Sequence, residues 1–111
     1  FAPQVTTTVD NCLIVQTLTT DADAATAFLT SQTNANLASL TERADAASAA
    51  GNGGGIATIT GIKATAGATD NTALVVVSCV SAYVTIALAP IPERIQQPVM
   101  SNSAMSRSYN W

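Results

Sequence analysis

Ala73 to Ala89 reads ALVVVSCVSAYVTIALA, seventeen residues without a charge and with five valines. β-Branched side chains dominate it (Val75, Val76, Val77, Val80, Val84, Thr85 and Ile86), and such residues favour the pleated surface of a sheet. Its length also reaches the lower limit for a membrane-spanning helix. Two serines, Ser78 and Ser81, interrupt the run, and no basic flank follows, because Glu93 and Arg94 cancel. The stretch is expected to form one long strand, or two strands broken near 78–81.

Two further β-type runs precede it. Asn11 to Thr19 places Cys12, Leu13, Ile14 and Val15 in succession, the signature of a central strand or one covered on both faces. Ile56 to Ala66 alternates Ile56, Thr58, Thr60 and Ile62 on one side, with Gly61 expected to mark a bulge. Between these runs the period changes. Ala25, Phe28, Leu29, Ala35, Leu37, Leu40, Ala44 and Ala47 recur at intervals of about three and four, one face of an amphipathic helix. Thr20 and Asp23 resemble a capping box at its start, and Gly51-Asn52-Gly53-Gly54-Gly55 stops it.

The order strand, helix, strand, strand gives the expected fold: an α+β domain. One long helix over 20–50 packs on a small, mainly antiparallel sheet. The expected organisation is an N-terminal arm at 1–10, a single domain at 11–89 and an extended C-terminal arm at 90–111. Pro90, Pro92 and Pro98 interrupt regular structure across the first half of that last arm. The arm nevertheless carries Ile91, Ile95, Val99, Met100, Met105, Tyr109 and Trp111, a set expected to dock on a neighbouring copy.

Composition removes several kinds of chemistry. The 111 residues contain no histidine and two cysteines, Cys12 and Cys79, without metal-ligand spacing. Ser-His and Cys-His catalysis, haem ligation by histidine and the common zinc sites all need residues that are missing. Asp21 and Asp23 read as partners of a helix dipole rather than an acid–base pair. Glu42, Arg43 and Asp45 read as a solvated face, and Lys63 as the guard of an exposed edge strand. The glycine run lacks a phosphate-loop pattern and lies between helix and strand, the reverse of the order such loops use. No catalytic, metal or cofactor-binding residue is assigned.

Charged residues make up 10% of the chain and the net charge is −3, which argues against nucleic acid as a partner and leaves a surface with the low charge of interface cores. A Cys12–Cys79 disulfide would close a loop of about 66 residues and contribute roughly 4 kcal/mol in the chain-entropy model; the alternative is two buried free thiols. The start at Phe1 suggests removal of a leader, and with it an extracellular or virion-surface location.

These features favour a non-catalytic structural subunit that self-assembles into an extracellular filament or sheath, or a virion shell, through its arms and sheet edges. Two alternatives stand beside it. One is a soluble monomeric binding module with an apolar or carbohydrate pocket between helix and sheet. The other is a small membrane-anchored protein using 73–89 as its span. The partner expected first is a second copy, covering the sheet face that the helix leaves bare.

Overall fold

The computed structural model describes residues 1–21, 23–77 and 80–92, which contain eight strands and no helix. The strands are β1 (Thr6–Thr7), β2 (Cys12–Thr20), β3 (Leu29–Thr33), β4 (Ala38–Ser48), β5 (Gly54–Lys63), β6 (Gly67–Ala68), β7 (Ala73–Val76) and β8 (Ser81–Leu88). Four of them form the main sheet in the order β4-β5-β2-β8, with every neighbouring pair antiparallel. A second layer is built around residues 67–76. This segment pairs with the N-terminal residues through Thr6–Ala68, Thr7–Gly67 and the Ala2–Thr72 bridge, and then with β3 through β7.

Alternation in β2 explains the layering. Cys12, Ile14, Gln16, Leu18 and Thr20 point to one face and are buried. Around Leu18, that face packs Ala57 and Ile59 of β5 against Phe28 and Leu29, with Leu74, Val76 and Tyr83 at the margin. Around Ile14 it forms a smaller cluster with Cys12 and Leu37, bordered by Val5 and Ala87. Gln16 sits between the two clusters in sequence and is itself buried.

No helix occupies 20–50, so the expected α+β fold is replaced by two layers of antiparallel sheet. The spacing of three and four among the apolar residues is real, but the residues between them are poor helix formers. Thr26, Thr30, Ser31, Thr33, Asn34, Asn36, Ser39 and Thr41 all fall between 26 and 41, and their side chains compete for main-chain partners. Asn34 does so directly: its Oδ1 accepts the Asn36 N–H at 2.8 Å, forming the turn between β3 and β4. An eleven-residue β4 laddered along β5 then outweighs the helical propensity of the alanines. The resemblance to a capping box also has another origin. Thr20 ends β2, and Asp21 holds the chain ahead of β8 by accepting the Val80 N–H at 2.8 Å.

Gly61 lies in a regular stretch of β5, and the irregularity falls across from it, between Ala38 and Thr41 of β4. A Cβ at Gly61 would lie 3.1 Å from Leu37 Cβ and 3.2 Å from Leu40 Cδ1. The glycine therefore makes room for these two leucines. Lys63 lies on β5, between β4 and β2, so it guards no edge. The run 73–89 divides between layers, with β7 paired to β3 and β8 paired to β2.

Candidate interaction surface

Because β2 and β8 alternate, the face of the main sheet turned away from the core carries its own row of side chains. The cross-strand pairs on that face are Leu13–Leu88, Val15–Ile86 and Thr17–Val84. On the other side of β2 they continue as Leu13–Ile62, Val15–Thr60 and Thr17–Thr58. Val84, Ile86 and Leu88 are 49, 49 and 50% exposed, and Leu13 is 36% exposed. They make the β8 side of this face an apolar surface open to solvent among the described residues, and Ile56, on β5, is half exposed on the same face. Towards β4 the face becomes polar. Thr17 and Thr58 share a hydrogen bond at 3.3 Å, and Arg43 donates from Nε to Thr60 Oγ1 at 2.7 Å.

The two edges of the sheet are built differently. β4 carries Glu42, Arg43 and Asp45, two irregularities in its pairing and a left-handed Ser39 at φ 52°. Its far side is also engaged by the 26–29 segment, with Ala47 donating its N–H to the Thr26 carbonyl at 2.7 Å. Charges, bulges and cover are the usual means of keeping an edge from pairing with another chain. Among the described residues, β8 has none of them. It reads SAYVTIAL, without charge or proline, and among the described residues its only ladder partner is β2.

The aspartates act as fasteners between chain segments. Asp45 Oδ1 and Oδ2 accept the Phe28 N–H, and Oδ2 also accepts the Leu29 N–H, at 3.0–3.2 Å. Asp10 accepts the Ala66 N–H at 2.7 Å, Asp21 accepts the Val80 N–H, and Asp70 accepts from the Asn36 side-chain amide. Asp45 thus differs from the expected solvated face, and Asp21 serves a strand crossover instead of a helix dipole. No group of three or more metal-ligating side chains occurs among the described residues.

Cys12 carries a free, buried thiol directed to the Val9 carbonyl at 3.3 Å. Its proposed partner, Cys79, lies outside the described residues.

Of the residues assigned to the assembly arm, Ile91 is described and is 90% exposed. Ile95, Val99, Met100, Met105, Tyr109 and Trp111 lie outside the described residues. A depression of about 310 Å³ is lined by residues 35–38 and 62–65, at the Lys63 end of the β4–β5 pair. It lies beside the irregular part of β4, and among the described residues no helix is present to form the helix–sheet pocket expected of a binding module. No helix among the described residues is long and apolar enough to cross a membrane, and 73–76 and 81–88 are strands in different sheets.

Comparison with protein-family models, with curated proteins and with solved structures finds no match. The functional reading therefore rests on this geometry. Sequence reasoning missed the β8 edge as a distinct feature, although its signal was present: eight consecutive residues with neither charge nor proline, in contrast to β4 at the opposite edge, which bears three charges.

Proposed function

We propose that the protein is a non-catalytic structural subunit that self-assembles, with the β8 edge and the apolar face beside it as its joining surface. The observation carrying this reading is the contrast between the two edges of one sheet. β4 is bulged, charged and covered, whereas β8 presents an uncharged strand flanked by half-exposed Val84, Ile86 and Leu88. An edge of that kind is a template for pairing with another chain. A second copy suits it because the patch offers no charge to a charged partner, and its threonines and aliphatic side chains match their own kind. Among assemblies, a filament or sheath at the cell exterior is favoured over a virion shell.

The test compares the wild-type chain with Ile86→Lys and Thr41→Lys by light scattering and electron microscopy. Wild type should form particles of many copies. A lysine at Ile86 should reduce them to single chains, while a lysine on the already protected β4 edge should leave assembly unchanged. A wild-type chain that stays a monodisperse monomer at high concentration would sink the proposal.

A further inference from the structure

Resting on this self-assembly reading, we propose that β8 of one copy pairs antiparallel with β8 of a second copy about a two-fold axis at Thr85, joining the two main sheets into one. The argument begins with the main chain of β8. Asp21 donates its N–H to the Val80 carbonyl at 3.2 Å, which fixes the alternation of the β2–β8 ladder. In an antiparallel pair, residues that exchange hydrogen bonds alternate with residues that do not. Counting from Asp21–Val80, the bonded pairs are Thr19–Ala82, Thr17–Val84, Val15–Ile86 and Leu13–Leu88. The N–H and C=O of Tyr83, Thr85 and Ala87 therefore point away from β2, along the open edge. No main-chain partner meets them among the described residues.

An identical strand complements this edge. Antiparallel pairing of β8 with itself must set outward-bonding residues opposite one another, so the two-fold axis passes through a residue and never between two. With the axis at Thr85, the three open residues satisfy each other: Tyr83 faces Ala87 of the second copy, and Thr85 faces its own counterpart. Sizes agree with this register. Tyr83, the bulkiest side chain of the strand, meets an alanine. On the outer face Leu88 meets Ala82, and Val84 meets Ile86. Moving the axis to Val84 would crowd Tyr83 against Thr85 and leave Ala87 without a mate among the three.

The placing of the guards singles out a second copy over a foreign strand. The joined sheet runs β4-β5-β2-β8 and then the same order reversed, so both of its ends are β4, the strand with charges, irregular pairing and cover. Among the described residues, no unguarded edge of the main sheet is then left. A foreign strand would bring a far edge of its own, for which this chain supplies no guard. The contact uses the same patch on both partners and closes after two copies. Growth beyond the pair falls to the outer face, where Val84, Ile86 and Leu88 of both copies lie on one side.

Directed disulfides read the register. Val84 and Ile86 of facing copies form a non-bonded pair, with Cα atoms about 4.5 Å apart, inside the range of a disulfide. Two copies of Val84 lie on the diagonal instead, about 7–8 Å apart. Full-length chains carry Cys79→Ser with either Val84→Cys or Ile86→Cys, and Cys12 stays buried. Mixed and mildly oxidised, the two should give a covalent two-chain band on a non-reducing gel. Oxidised separately, each should remain a single-chain band. Circular dichroism confirms folding, and Ala82→Cys with Leu88→Cys repeats the test at the next outer pair if either chain is unfolded. A two-chain band from Val84→Cys alone would move the axis to Val84 and overturn the inference. Mixtures that give no band while wild type polymerises overturn the β8 pair and leave the assembly reading standing. A wild type that stays monomeric overturns both.

Discussion

Asp45 in β4 grips the main chain of Phe28, taking its N–H on both carboxylate oxygens at 3.1 and 3.2 Å. The neighbouring Leu29 N–H goes to the same carboxylate at 3.0 Å. One side chain thereby ties the main sheet to the residues that carry Phe28 into the core. Asp45→Ala should cost about 2–3 kcal/mol, because two main-chain donors lose a charged acceptor. Asp45→Asn keeps one acceptor oxygen and should cost less. Urea midpoints would order the two variants, and equal losses would show that the fork contributes little.

Gln16 tests the opposite case, a buried polar group that is only half used. Its Nε2 donates to Thr85 Oγ1 at 3.4 Å, and Thr85 donates onward to the Pro3 carbonyl at 2.7 Å. Its Oε1 has no partner among the described residues. Gln16→Leu removes that unmet acceptor and leaves the Thr85–Pro3 bond in place. It should leave stability unchanged or raise it by about 1 kcal/mol. Gln16→Ala should lower stability by about 2 kcal/mol, because a cavity replaces the side chain. Thermal unfolding of the pair distinguishes packing from polarity, and a large loss in the leucine variant would assign the amide a positive role.

The glycine run is not uniform in its tolerance. Gly51 has φ 68° with open space around it, whereas a Cβ at Gly55 would lie 2.8 Å from the Phe28 ring and 2.9 Å from Ala47 Cβ. Gly51→Ala should cost about 1 kcal/mol through backbone strain alone. Gly55→Ala should cost more, on the order of 2 kcal/mol or above, because the collision is with the core. Denaturant titration of both variants checks the order, and a reversal would place the tight contact in the hairpin turn.

Cys12 should resist a thiol reagent in the native protein and react at once after unfolding, since burial restricts access to its sulfur. Mass mapping of the labelled peptides separates its signal from that of Cys79. Adding reductant should leave the unfolding midpoint unchanged. A downward shift of several degrees would indicate a structural bond formed in solution.

Much of the strand content was legible because it is written in unbroken runs. Cys12–Thr20, Gly54–Lys63 and Ser81–Leu88 are rich in Val, Ile, Leu and Thr, and their alternation places the core. The segment 20–50 was misread because alanine-rich sequence with apolar residues three and four apart satisfies a helical template locally. Its strand character comes from pairing with β5, a partner that no local window contains. The fasteners were invisible for a similar reason. Asp10 and Ala66 stand 56 positions apart, as Asp21 and Val80 stand 59 apart. The surface was half legible: its shortage of charge was plain, but its concentration at one edge required the register.

The sheet order β4-β5-β2-β8 sets a timetable for folding. Only β4 and β5 are joined by a short turn; β2 must wait for β5 and β8, and Leu13 meets Leu88 across most of the chain. Contacts so distant in sequence make slow folders. Until β8 arrives, β2 offers its own apolar strand to any passing chain. An uncharged strand left open in this way is a pairing hazard, so protection of the half-made sheet matters most before Ser81–Leu88 docks on β2.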